Sequence, residues 1–170
     1  MAIQLILCLE ADRKSGTDYV YVSEVIHNFY EIDNTVKITP IYMGGKSKYN
    51  HKSIVNEIKE KISQYKHGNT KVIYVTDTDN LESIPEDKVF LDRVTKYCQE
   101  NGYDHAWFCH DVEEVFWMGK TSINSKVKMA GEFKKKRIIE TIDERKLKSQ
   151  NMRTGCSNIL TVLDRYLRKK

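Results

Sequence analysis

No stretch of this chain approaches the roughly 18 consecutive apolar residues that a membrane-crossing helix needs, so no membrane span is expected. Its four cysteines (Cys8, Cys98, Cys109 and Cys156) lie far apart, with no CxxC pair. Neither a disulfide framework nor a zinc site is therefore expected. Cys8 and Cys109 sit inside apolar runs, where a free thiol behaves as a small hydrophobe. The first residues, IQLILCLE, are strand-like and too short and wrongly flanked for a signal peptide. With cysteines of this kind, the expected compartment is the reducing cytoplasm. The chain also lacks internal repeats and low-complexity linkers. Its five histidines show no ligand spacing, and only His110 stands near an acidic cluster.

What is present is a chain of 170 residues, 40% hydrophobic and 31% charged. Those values fit one soluble globular domain with its own core. Residues 1–119 carry 13 Lys+Arg against 19 Asp+Glu, whereas residues 120–170 carry 15 against 5. An acidic front and a basic back suit a metal-dependent enzyme acting on a polyanion. The plainer alternative is a helical tail with a solvated lysine face.

Lys71–Asn80, KVIYVTDTDN, organises the rest. Val72, Ile73, Tyr74 and Val75 read as a buried strand that ends abruptly in Asp77 and Asp79. Carboxylates one residue apart repel unless a cation or proton lies between them, and hard oxygen ligands suit Mg²⁺, Mn²⁺ or Ca²⁺. An aspartate-rich turn capping the next helix is the bland alternative. Before this strand, Ile3–Leu9 reads as a central strand ending in Glu10. Thr17 is expected to cap a helix running to about Ile32, with Val20, Val25, Ile26 and Phe29 inward. Val36–Met43 reads as a second strand, and 44–48 (GGKSK) as a basic loop. His51–Tyr65 is expected to be a helix with Ile54, Val55, Ile58 and Ile62 inward.

Beyond the DxD strand, Asp87–Glu100 is expected to be helical with Val89, Phe90, Val94 and Tyr97 buried. A fourth strand centres on Ala106–Cys109, followed by a short acidic helix in HDVEEVFWMGK. A long lysine-rich helix is expected over Ser125–Glu144, then a loop, then a last helix capped by Ser157. The alternation predicts an α/β fold with a parallel sheet of about four strands flanked by helices, and a basic helical C-terminal part. Glu10, Asp77 with Asp79, and Asp111 with Glu113 and Glu114 each follow a parallel strand. All strand carboxyl ends lie on one rim of such a sheet, where open α/β sheets keep their sites.

A strand ending in Glu, then helix, strand, helix and a strand ending in DxD resembles the Toprim fold, closest to the RloB-like and overcoming-lysogenization-defect (OLD) type nuclease branch. The first motif of that branch is similar to Leu9-Glu10-Ala11 followed by 17–22, TDYVYV, matching at Glu10, Thr17, Asp18 and Tyr21. Ala11 stands where the pattern has glycine, and the loop to Thr17 is about two residues longer. The late acidic motif is similar to 111–114 ahead of Phe116 and Trp117. The resemblance covers residues 3 to about 118, and loosely the final helix after 157–158. It implies a metal-binding core over 1–118, with 119–170 a basic helical extension packed on the same domain. It implies a Mg²⁺- or Mn²⁺-dependent nuclease acting on phosphodiester bonds of DNA or RNA, in the setting of phage defence with a partner ATPase.

The resemblance further implies that Asp77 and Asp79 hold the principal ion, with Glu113 or Glu114 assisting a second and Asp111 near by. Glu10 is then a ligand or general base. Lys46, Lys48, Lys134, Lys135, Lys136 and Arg137 would neutralise flanking phosphates, and Arg13 and Lys14 would stabilise the leaving group. Topoisomerase and primase activities are not expected, for want of a cleaving-tyrosine domain and of a zinc-binding cysteine set. The competing reading is a non-catalytic or regulatory module, receiver-like or a degenerate Toprim, that binds a partner protein. A sugar-nucleotide transferase is a third, for which no nucleoside pocket is evident.

Overall fold

The computed structural model describes residues 2–119 and 124–170. Ala2–Leu9 forms β1, Thr17–Phe29 α1, Val36–Tyr42 β2, Lys52–Gln64 α2 and Gly68–Asp77 β3. Pro85–Asn101 forms α3, Asp104–Cys109 β4 and Val112–Trp117 α4, followed by α5 at Lys126–Lys135. The two-residue strand β5, Cys156–Ser157, and α6, Ile159–Leu163, complete the order. The strands lie β2-β1-β3-β4-β5. The first four are parallel, and β5 is antiparallel on β4, with Cys109 opposite Cys156. The fold is therefore α/β, a mostly parallel five-stranded sheet flanked by helices.

The period of two along the central strands divides the core between the two faces of the sheet. Leu5, Leu7 and Leu9 of β1, with Ile73 and Val75 of β3, pack beneath α1, α4, α5 and α6. Ile6 and Cys8, with Val72 and Tyr74, pack beneath α2 and α3. Each fully buried leucine or isoleucine contributes roughly 1.5–3 kcal/mol relative to exposure. Gln4 is also fully buried, and both ends of its amide are satisfied, by Thr39 at 2.8 Å and Thr70 at 3.1 Å.

An aromatic cluster fixes the helices of the first face. The Tyr21 ring of α1 stacks on Phe116 of α4 at 5.4 Å, and Phe133 of α5 lies 4.8 Å from Tyr21 and 5.0 Å from Phe116. The Trp117 indole N–H donates to the Tyr21 hydroxyl at 3.1 Å. These contacts bring the start of α4 and the start of α5 to the same rim as the β1 and β3 carboxyl ends.

Several expectations need correction. Gly16, not Thr17, holds the cap position of α1, in a left-handed conformation (φ 55°), and the helix ends at Phe29. In α2 only Ile54 and Ile58 are buried, while Ile62 is 40% exposed. The inward face of α3 is Leu91, Val94 and Cys98, which turns Val89 out to solvent. The lysine-rich stretch is not one helix. The α5 face set by Ala130 and Phe133 would next bury Arg137; instead Arg137 adopts φ 51°, and the chain turns so that Ile139 enters the core. Short 3₁₀ turns at Ile138–Thr141 and Glu144–Lys148 follow. Ser157 lies in β5 and Asn158 directly precedes α6, yet the expected cap is there: the Ser157 hydroxyl accepts the Ile159 N–H at 3.1 Å, while the Asn158 side chain binds the backbone of Trp107 and His105.

Candidate acidic site at the sheet rim

Glu10 leaves β1 beside the end of β3, and its Oε1 accepts the Asp77 backbone N–H at 2.9 Å. Asp77 in turn accepts the Val112 N–H through Oδ1 at 3.0 Å, tying β3 to the first residue of α4. Asp18, in the first turn of α1, accepts the Ala11 N–H at 2.8 Å. The loop after β2 closes over the same place, with the Gly45 N–H donating to the Glu10 carbonyl at 2.8 Å. Gly44 (φ 67°) and Gly45 (φ 128°) take backbone conformations that a side chain would strain. A cavity of about 320 Å³ results, lined by Glu10, Thr17, Asp18, Gly45, Asp77 and Lys126.

Crowded, partly desolvated carboxylates resist ionisation. Burial pushes Glu10 up to about 7, opposed by the Asp77 N–H bond and reinforced by Asp79 and Asp18. Asp77 is pushed well above the carboxylate range by burial, then by Glu10, Asp18, Asp111 and Glu113. Burial also raises Asp18 and Glu113. Glu113, in α4, is held by one cation, the Lys126 ammonium at 2.9 Å from Oε2. Its Oε1 is buried and has no hydrogen-bond partner, alone among the buried side-chain polar atoms of the described residues. Burial opposes the charge on Lys126, but the bond to Glu113 and the fields of Glu113, Asp111 and Asp77 hold its pKa above the ordinary lysine value.

The other acids named from the sequence share the rim but face elsewhere. Asp79 adopts φ 49° and turns its carboxylate into an ion pair with Lys46, which also reaches Asp87 at 3.2 Å. Asp111 caps α4, accepting the Glu114 N–H at 2.7 Å. Glu114 binds His110 at 3.0 Å. Among the described residues, no three of these carboxylates bring an oxygen each within 4.8 Å of one another.

Of the basic residues, Lys46 is engaged by Asp79 and Asp87, Arg13 meets Glu57 at 3.3 Å, and Lys14 and Lys48 are exposed. Lys134 lies 3.9 Å from Glu24, Lys136 3.1 Å from Glu132, Lys135 3.9 Å from Glu132, and Arg137 pairs with Glu140. At 1.5 Å of rise per residue, this run begins about 12 Å along α5 from Lys126. Of the cavity residues, Asp18 entered the sequence analysis only as a matched position of the resemblance, and Lys126 did not enter it. Asp18 had a signal, its place as an acid in the first turn of a helix that starts at the rim. Lys126 had none, since only the packing of Phe133 brings that helix end to the acids.

Comparisons of the chain with protein-family models, curated proteins and solved structures return no match. No helix of the described residues is long and apolar enough to cross a membrane.

Proposed function

We propose that the chain is a divalent-metal-dependent nuclease-like Toprim protein, with nucleic acid as substrate and Glu10, Asp77 and Glu113 as its central acids. One observation carries the reading: a buried, unpartnered carboxylate oxygen on Glu113, whose other oxygen binds Lys126, a residue that lines a cavity with Glu10, Asp18 and Asp77. A buried acceptor without a donor is costly, and oxygen donors suit Mg²⁺ or Mn²⁺; the carboxylates stand wider apart than the ligands of one ion, so an ion would have to draw them together. Such an ion would supply Lewis-acid polarisation of a phosphoryl oxygen.

The chain's own groups supply the rest. Glu10, with its pKa near neutrality, suits proton abstraction from an attacking water at physiological pH. The Gly44–Gly45 turn leaves room for a phosphate to approach the backbone. Lys126, 62% exposed at its side chain, offers N–H donors to a phosphate oxygen at the cavity edge. On this reading a partner ATPase and a role in phage defence follow from the Toprim resemblance alone.

The test is Mn²⁺-dependent cleavage of labelled single- and double-stranded DNA and RNA. Wild type should cut at least one of the four, and Glu10→Gln and Asp77→Asn should abolish cutting while binding persists in fluorescence anisotropy. Absence of cutting, with melting curves indifferent to Mg²⁺ and Mn²⁺, would overturn the proposal. A second reading, a non-catalytic module, is favoured by one observation: Lys126 already places a positive charge on Glu113. On that reading Lys126→Met unfolds the rim and no divalent ion rescues it.

A further inference from the structure

We propose a second metal site, distinct from the acidic cavity, in which Glu82, Cys109 and His110 bind a thiolate-preferring transition-metal ion, Zn²⁺ in the first instance. These three side chains bring one ligand atom each within 4.8 Å of one another, the single such group of His, Cys, Asp and Glu among the described residues. A tetrahedral zinc with bonds of about 2.0–2.3 Å places its ligand atoms roughly 3.3–3.8 Å apart. The cluster therefore needs side-chain adjustments of about 1 Å and no movement of the fold.

The contact of His110 with Glu114 lies outside that trio and points the same way. One ring nitrogen, Nε2, faces Glu82 at 2.6 Å, and the other, Nδ1, faces Glu114 at 3.0 Å. A carboxylate on the second nitrogen fixes the tautomer and orientation of a metal-binding imidazole. Glu114 is thus the positioning residue: its bond to Nδ1–H leaves the Nε2 lone pair for the ion. Binding replaces the Nε2–Glu82 contact, and both the proton held in that contact and the Cys109 thiol proton pass to solvent as the nitrogen–metal and sulfur–metal bonds form. The thiolate selects zinc-like ions over Mg²⁺, whose preference is for oxygen alone.

Placement explains what the ion would do. Cys109 is fully buried at the end of β4, His110 is partly buried, and the Glu82 side chain is 52% exposed, so solvent reaches the cluster from the Glu82 side. Glu82 belongs to the turn between β3 and α3, where Ser83 and Ile84 both donate backbone N–H bonds to the Asn80 carbonyl. Coordination would clamp this turn, three residues beyond Asp79, onto the end of β4. No CxxC spacing announces it, because its ligands come from two connections that only the β3–β4 pairing brings together.

The experiment uses the full chain, stripped with chelator and titrated with Co²⁺ and Zn²⁺. Expected are a thiolate-to-cobalt charge-transfer band saturating at one equivalent, its displacement by Zn²⁺, and loss of the band in Cys109→Ser. Glu82→Gln, at an exposed position that spares the core, and His110→Gln should each weaken Zn²⁺ binding at least tenfold. Glu114→Gln should weaken it tenfold to a hundredfold, as positioning carboxylates do. Asp77→Asn should keep the cobalt band while losing any Mg²⁺ response, which separates this site from the proposed nuclease centre. A wild-type protein without the band, a band that survives Cys109→Ser, or Glu82→Gln with undiminished affinity would overturn the proposal.

Discussion

Glu10→Gln, in protein freed of divalent ions, should stabilise the fold at pH 8 and leave it almost unchanged at pH 5. Glu10 ionises at about 7 in the folded chain, against 4.5 for an unperturbed glutamate. The folded state therefore holds a proton that the unfolded state has already released, and stability falls as pH rises through that window. Below about 4.5 both states are protonated and nothing is lost; above about 7 the cost is complete. At 1.36 kcal/mol per unit, it reaches about 3 kcal/mol at pH 8 and stays under about 1 kcal/mol at pH 5. Glutamine keeps the acceptor for the Asp77 N–H, so only the charge is removed. For a chain of this size the gain corresponds to a rise of roughly 6–12 °C in Tm at pH 8. Millimolar Mg²⁺ should erase the wild type's deficit by occupying the crowded acids, and should move the variant less. Scanning calorimetry at both pH values decides the matter. A variant less stable than wild type at pH 8, or a difference that does not change with pH, would refute the account of Glu10 as a strained, desolvated acid.

Lys126→Met should destabilise the metal-free protein by roughly 1–3 kcal/mol, because it leaves the Glu113 carboxylate, 8% exposed, with neither oxygen satisfied. Adding Glu113→Gln should restore most of the loss, and a urea-unfolding double-mutant cycle measures it; equal losses in single and double variants would dissolve the pairing. Neutralising Lys134, Lys135, Lys136 and Arg137 together should lower the slope of log K for nucleic acid against log salt by up to roughly 3, at about 0.7–0.9 per phosphate contact. Their existing bonds to Glu24, Glu132 and Glu140 and their distance from Lys126 limit that effect, and an unchanged slope in anisotropy marks the run as a solvated helix end.

The sheet was legible because its strands are nearly continuous apolar runs, and their exits are marked by acids: Leu9 before Glu10, Thr76 before Asp77, Cys109 before His110 and Asp111. Parallel pairing converts that sequence pattern into one rim with no further information. Side-chain direction was not legible. Asp77 and Asp79 read as one DxD pair, yet Asp77 stays in strand register while Asp79 takes a left-handed turn and answers Lys46 on another loop. Glu113 and Glu114 are neighbours on α4, so they point about 100° apart around the helix, one toward Lys126 and one toward His110. Which of them meets Lys126 depends on the rotation of a six-residue helix, set by Phe116 packing on Tyr21 and Phe133. The break of α5 at Arg137 was equally hidden, since Lys134–Lys136 suit a helix and only the need to bury Ile139 ends it.

The two clusters at this rim divide the acids by chemistry. The cavity side gathers Glu10, Asp18, Asp77 and Glu113, oxygen donors whose charges are held back by burial and by one another. The far side gathers Glu82 and Glu114 around an imidazole and a thiol. Between them runs α4, whose first residue receives the Asp77 bond through its N–H and whose cap, Asp111, directly follows His110. A charge added on either side is therefore felt through the same short helix. Filling the cavity with a divalent ion would relieve the repulsion that adds to burial in raising Asp77, while an ion at Glu82, Cys109 and His110 would fix the strand end from which α4 begins. The coupling should be mutual, since any change that one ligand makes in the affinity for another is returned in equal measure. Zn²⁺-loaded protein should then bind Mn²⁺ with an altered affinity that calorimetry can read, and the Glu82→Gln variant should lose that difference while keeping its own Mn²⁺ binding.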